Sequence, residues 1–151
     1  MGAREIVQLL TARGEKLCVA ESLTGGLLSD SIVSVPGASK VFLGGVVSYD
    51  EGVKEKVLGV QADTLAKHTA VSGETAREMA AGVRKLMSAD YALSATGYAG
   101  PDGEDVGLVY IGFATENGCE SVECRFAGNR EEIRRQSVEK VLEVLMAHLK
   151  E

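Results

Sequence analysis

The sequence has no tryptophan, only two prolines and two histidines, and no long uncharged apolar run. No window approaches the ~18 apolar residues of a membrane-spanning helix. The first ten residues carry Arg4 and Glu5 inside their apolar stretch, so they do not read as a secretory signal core. The three cysteines, Cys18, Cys119 and Cys124, lack Cys-x-x-Cys spacing and leave at least one unpaired. That pattern predicts a reducing, cytoplasmic setting and no metal site. A basic excess is missing too. The formal charge is −6 and the isoelectric point about 5.0, which argues against nucleic acid as a partner, because nonspecific affinity for it comes from clustered Lys and Arg. A small anion gripped by an arginine remains compatible. Neither Gly-x-Gly-x-x-Gly nor the Walker pattern occurs, so a dinucleotide fold or a nucleoside triphosphatase is not supported. Tyr49 and Lys54 stand one residue too far apart for the Tyr-x-x-x-Lys pair of short-chain dehydrogenases.

What is present is an ordinary globular composition. The chain has 151 residues, 45% hydrophobic and 25% charged, enough for a single domain over 1–151 that buries roughly two thirds of its unfolded surface. Eighteen glycines point to many close backbone approaches.

The spacing of Ile6, Leu9 and Leu10 predicts a helix over 3–13 stopped at Gly14. A strand over 16–20 follows, then a loop with Ser22 and Thr24, and a helix carrying Leu27, Leu28 and Ile32 that ends at Pro36. Residues 41–48 read as a buried strand. A short helix is expected over 54–60, and Asp63 is expected to cap a second one carrying Leu65 and His68. Ser72 and Glu74 open a long amphipathic helix marked by Ala76, Met79, Ala80, Val83 and Met87. Residues 91–95 form another buried strand, followed by a glycine-rich loop over 96–103. Residues 107–115 and 119–126 form a hairpin about Asn117-Gly118, and Asn129 with Glu132 starts the last helix in a capping-box arrangement. The sum is an α/β fold: a three-layer α/β/α domain with a mixed, mostly parallel sheet, closed by a C-terminal hairpin and helix.

If the strands are parallel, three loops gather at one sheet edge: those bearing Ser22 and Thr24, Tyr49 and Lys54, and Thr96 and Gly97. A serine is a weak nucleophile until a base takes its proton. His148 sits in the tail of the last helix, and His68 suits a structural or capping role. Lys54 is the better base, because a lysine near apolar groups loses hydration and its pKa falls. Tyr49 could relay the proton or fix the lysine. Gly25 and Gly26 open a helix whose N-terminus suits an anion, and backbone N–H groups near Thr24 to Gly26, or at Gly97, are candidates to hold a developing oxyanion. Arg130, Arg134 and Arg135 open the last helix, where a cation opposes the helix dipole, so Arg130 becomes a candidate phosphate or carboxylate clamp.

The chain resembles the CinA C-terminal domain family over nearly its whole length. The resemblance rests on Val19-Ala20-Glu21-Ser22-Leu23-Thr24-Gly25-Gly26, Val47-Ser48-Tyr49 with Lys54 and Leu58-Gly59-Val60, and His68 through Ala70-Val71-Ser72. It continues through Gly97-Tyr98-Ala99-Gly100-Pro101, Val106-Gly107-Leu108-Val109-Tyr110 and Phe126-Ala127-Gly128-Asn129-Arg130. It implies a metal- and cofactor-free amidohydrolase, in standalone form a nicotinamide mononucleotide deamidase, which yields nicotinate mononucleotide and ammonia. It also implies a homodimer. On that resemblance Ser22 is the nucleophile, assisted by Tyr49 and Lys54, with Thr24, Gly25, Gly26, Thr96, Gly97 and Arg130 around the substrate. Three positions depart from the family's usual pattern: Leu23 stands where cysteine is common, Glu51 where asparagine is common, and the loop Asp102-Gly103-Glu104-Asp105 is shorter and more acidic. The charge of Glu51 is expected to push the Lys54 pKa up. The alternative reading is a non-catalytic binding or regulatory module, and a third is an amidase for another small amide. Ammonia release separates them.

Overall fold

The computed structural model describes residues 2–151; Met1, the first residue of the expected domain, lies outside them. Helix α1 (Gly2–Arg13) leads through Gly14, at φ 66°, into strand β1 (Leu17–Glu21). Then come α2 (Leu27–Val33), a 3-10 turn (Ala38–Lys40), β2 (Phe42–Val47), α3 (Glu51–Leu58), α4 (Ala62–His68) and α5 (Gly73–Met87). Strand β3 (Tyr91–Gly97), the hairpin β4 (Leu108–Thr115) and β5 (Gly118–Arg125), and α6 (Arg130–Leu149) complete the chain. Among the described residues no helix is long and apolar enough to cross a membrane.

The sheet runs β2-β1-β3-β4-β5. β1 pairs in parallel with β2 and β3, whereas β3-β4 and β4-β5 are antiparallel. The mostly parallel character expected from the sequence therefore holds for the half that carries the site, and the hairpin makes the other half antiparallel. Alternation along the central strands splits the core in two. Leu17, Val19, Leu93, Ile111 and Phe113 pack under α1, α2 and α6, while Cys18, Ala20, Ala92 and Ala114 lie under α3 and α5. The second face is built from small residues so that α5 can come close. A Cβ on Gly112 would lie 2.2 Å from the Ala76 carbonyl oxygen, and Ser94 Oγ donates to that same oxygen at 2.6 Å.

Three local expectations change. Residues 41–48 were expected as a buried strand, but β2 lies at the sheet edge and exposes Leu43 and Val47. α3 starts at Glu51 rather than Lys54, because the Asp50 carboxylate accepts from Gly52 N and caps it. α4 is not capped by Asp63. Glu78 reaches across from α5 to accept from Gln61 N and Thr64 Oγ1, leaving Asp63 in the first turn to pair with Lys67 at 3.3 Å. The caps at Ser72 and at Asn129 with Glu132 are formed as the spacing predicts.

Candidate active site

Parallel β1, β2 and β3 bring their C-terminal ends to one edge, and a cavity of about 520 Å³ opens there. Ser22 follows β1 directly. Its N–H donates to Ala95 O of β3 at 3.0 Å, which holds it at the end of the sheet. Across the sheet edge, Ser48 ties β2 to β1 by donating through both N and Oγ to Glu21 O. Lys54, one turn into α3, then projects between them.

Lys54 is 1% exposed, and its ammonium nitrogen makes three contacts: Ser22 Oγ at 2.9 Å, Ser48 O at 2.6 Å and Tyr49 O at 3.2 Å. Two of these partners are carbonyls, which only accept; the third is a hydroxyl, which can also donate. A neutral amine fits this set fully, with its N–H groups on the carbonyls and its lone pair facing the Ser22 hydroxyl. Burial holds the Lys54 pKa below the usual lysine value, against an opposing push from Glu51 and Asp50. The upward influence expected of Glu51 is thus present, but smaller than the desolvation it opposes.

Tyr49 contributes differently from the expectation. The residue is 65% exposed and its phenol oxygen lies 3.3 Å from Arg130 Nη2, while its backbone carbonyl is what meets Lys54. Arg130 also donates to Gly100 O, so it bridges the β2-α3 and β3-β4 loops across the cavity mouth. Ser22, Tyr49, Lys54, Thr96, Gly97 and Arg130 all line the cavity. Thr96 Oγ1 donates to Ala70 O at 2.7 Å and fixes the segment before α5 against the site.

Thr24, Gly25 and Gly26 lie outside the cavity lining. Their helix N-terminus is already filled by Glu21, the fully buried last residue of β1. Its carboxylate accepts from Gly26 N, Leu28 N, Ser29 N and Ser29 Oγ at 3.1, 2.9, 2.9 and 2.6 Å. The expectation that Gly25 and Gly26 bind the ligand or an oxyanion is corrected on that ground, a carboxylate of the chain itself taking the anion's place, and Thr24, fully buried and outside the lining, does not reach the cavity either. Gly25 N is committed to Ser22 O at 3.1 Å. Among the described residues the N–H groups of Leu23 and Thr24 meet no protein acceptor.

Two residues of the site were not singled out from the sequence for these roles. Glu21 carried a signal, since an acid ending an apolar strand must find partners when buried. Arg134 carried another, since it shares a helix face with Arg130 at i, i+4. It donates from Nε to Leu23 O at 2.8 Å and from Nη2 to Thr24 O at 2.9 Å, gripping the loop behind Ser22. His68 and His148 stand away from the cavity; each lies 3.6 Å from a carboxylate, Glu74 and Glu151 respectively. Cys18 is buried in the core, which pushes its thiol pKa up to about 12.

A competence-damage-named relative from Caldanaerobacter subterraneus subsp. tengcongensis is 49% identical over 148 residues, covering 95% of this chain and 36% of its own. A CinA-like protein of Thermotoga neapolitana is 45% identical over 150 residues, covering 97% and 36%. The chain thus spans about a third of the length of these curated relatives. Among solved structures, the competence/damage inducible protein CihA from Agrobacterium tumefaciens superposes with a TM-score of 0.95 at 37% identity, covering 99% of this chain and 94% of that one. A CinA superfamily protein from Klebsiella pneumoniae does so with a TM-score of 0.95 at 35% identity, covering 99% and 96%. The CinA C-terminal domain model matches residues 2–149, and the chain belongs to that family.

Proposed function

We propose that the chain hydrolyses the carboxamide of nicotinamide mononucleotide to nicotinate mononucleotide and ammonia. The observation that carries the reading is the buried contact of 2.9 Å between Lys54 Nζ and Ser22 Oγ, at a cavity within the ~300–1,000 Å³ range of small-molecule sites. The substrate comes from the resemblance set out above, and the chemistry from the pair.

Ser22 Oγ attacks the amide carbon as its proton passes to the neutral Lys54 amine. The tetrahedral intermediate collapses with that proton delivered to the amide nitrogen, so ammonia leaves and an ester to Ser22 remains. Water then attacks the ester carbonyl, Lys54 takes its proton and returns it to Ser22 Oγ, and the carboxylic acid is released and ionises. Neither half needs a redox partner. Ser48 O and Tyr49 O hold the amine in place through both halves, and the N–H of Leu23, which lines the cavity and meets no protein acceptor, is the backbone donor for the developing oxyanion. Arg130 at the mouth is the cation set for the phosphate.

The test is ammonia release from a panel of pyridine nucleotides and simple amides, with Ser22→Ala beside the wild type. Release from nicotinamide mononucleotide by the wild type alone, with both proteins melting alike, is the expected result. Undiminished release by Ser22→Ala would sink the mechanism, and tight binding without release would favour a binding module.

A further inference from the structure

The loop behind Ser22 is held by a cation from the far end of the chain. Arg134 is half-buried on α6, and among the described residues it forms no ion pair with an acid. Its donors go instead to two successive carbonyls, Leu23 O and Thr24 O. Neither peptide is cis, so each carbonyl points opposite to the N–H of the same peptide unit. Holding Leu23 O therefore fixes the direction of the Thr24 N–H, which has no protein acceptor. Holding Thr24 O fixes the next unit, whose Gly25 N–H closes back on Ser22 O at 3.1 Å. That closure in turn sets the Leu23 N–H, the second donor without an acceptor. The Leu23 N–H, on a residue that lines the cavity, is thus aimed by a contact on the opposite side of its peptide.

We propose that Arg134 is a positioning residue for chemistry at Ser22: its bidentate grip on Leu23 O and Thr24 O holds the loop so that the Leu23 N–H serves as an oxyanion donor. The inference deepens the amidase reading and rests on Ser22 being a nucleophile. A lysine cannot reproduce it, because a point ammonium lacks the planar fork that reaches two carbonyls at once. The guanidinium also places a positive charge on the carbonyl side of these peptides, which strengthens the Leu23 N–H as a donor.

The experiment compares wild type, Arg134→Ala and Arg134→Lys in two reactions. One is ammonia release from nicotinamide mononucleotide. The other is the acylation burst of Ser22 with p-nitrophenyl acetate, which needs the nucleophile and the oxyanion donors but no nucleotide recognition. The expected result is a fall of about 10²-fold in kcat and in burst rate for Arg134→Ala, with KM within about twofold and the midpoint of the rising pH limb unmoved. Millimolar guanidinium chloride restores part of the rate to Arg134→Ala and none to Arg134→Lys. A merely structural role would not respond to guanidinium. Should Arg134→Ala fail to fold, Arg134→Lys carries the test: a folded protein with wild-type kcat and burst rate overturns the proposal. So does a loss of rate in Arg134→Ala that tracks its melting temperature and ignores guanidinium. A wild type that shows a Ser22-dependent burst but releases no ammonia refutes the nucleotide substrate and leaves the Arg134 comparison decisive. A wild type with neither reaction overturns both.

Discussion

Replacing Lys54 with methionine isolates the property on which the proposed chemistry depends, a lysine kept ready to be neutral. Methionine fills similar unbranched volume without a charge. Two offset effects act at neutral pH. The variant escapes the desolvation of a buried amine, and it leaves the Ser48 and Tyr49 carbonyls without a donor, at ~1–3 kcal/mol for a buried one. The two oppose each other, and their pH dependence separates them. The folded pKa of Lys54 is lowered by burial, so between that value and the ~10.4 of an unfolded lysine the unfolded chain holds the extra proton. Stability then rises with pH, and for one proton the slope reaches at most about 1.4 kcal/mol per pH unit. Above the unfolded pKa the burden of burying the amine is gone; as pH falls through the folded pKa it is complete. Urea unfolding of both proteins at pH steps from about 7 to about 10 gives the difference directly. Thiols and phenols with raised pKa values, such as Cys18 and Tyr91, titrate in both proteins and cancel. The wild type must gain on Lys54→Met as pH rises. A flat difference, or one that falls with pH, would refute the assignment of a depressed lysine whatever the enzyme assay says.

Glu51→Gln removes one of the two carboxylates that favour the charged form of Lys54, so the rising limb of kcat/KM against pH moves to lower pH; a limb that stays or moves upward contradicts the charge arrangement. Gly82→Ala puts a Cβ 1.8 Å from the Leu58 carbonyl oxygen at the end of α3. It lowers stability in urea by ~1–3 kcal/mol through overpacking, and it reduces kcat as well, because the helix pushed aside is the one that carries Lys54.

The elements whose signals are local were legible in the sequence. Ser72 and the Asn129-Glu132 pair announce helix starts within a few residues of themselves, and both caps are formed. The three loops at one sheet edge follow from counting parallel strands, which is enough to group Ser22, Lys54 and Thr96, and all three line the cavity. What was not legible depends on neighbours distant in sequence. α4 is capped by Glu78 from α5, and no pattern within α4 could show that Asp63 would be passed over. The apolar run of β2 has the composition of a buried strand, yet being an edge is a fact about which strand fails to lie beside it. Tyr49 was expected to relay the proton or fix the lysine because both follow the same strand end; its backbone carbonyl holds the lysine and its ring turns outward to Arg130, contributed by α6.

The correction at α2 changes how a ligand would be oriented. Read from the sequence, a glycine-opened helix beside Ser22 is an anion site, and a phosphate drawn there would compete with the reacting carbonyl for the space by the nucleophile. Glu21 removes that competition: its buried carboxylate takes Gly26 N, Leu28 N and Ser29 N. Lys54, tied to Ser22 and two carbonyls, offers no free charge once neutral, and Arg134 faces carbonyls rather than the cavity. Arg130 at the mouth is then the cation lining the cavity with donors to spare, since a guanidinium has five and two of them are engaged among the described residues. On the proposed reaction, a ligand with a phosphate at one end and a neutral carboxamide at the other is driven to enter in one sense, phosphate outward on Arg130 and amide inward on Ser22.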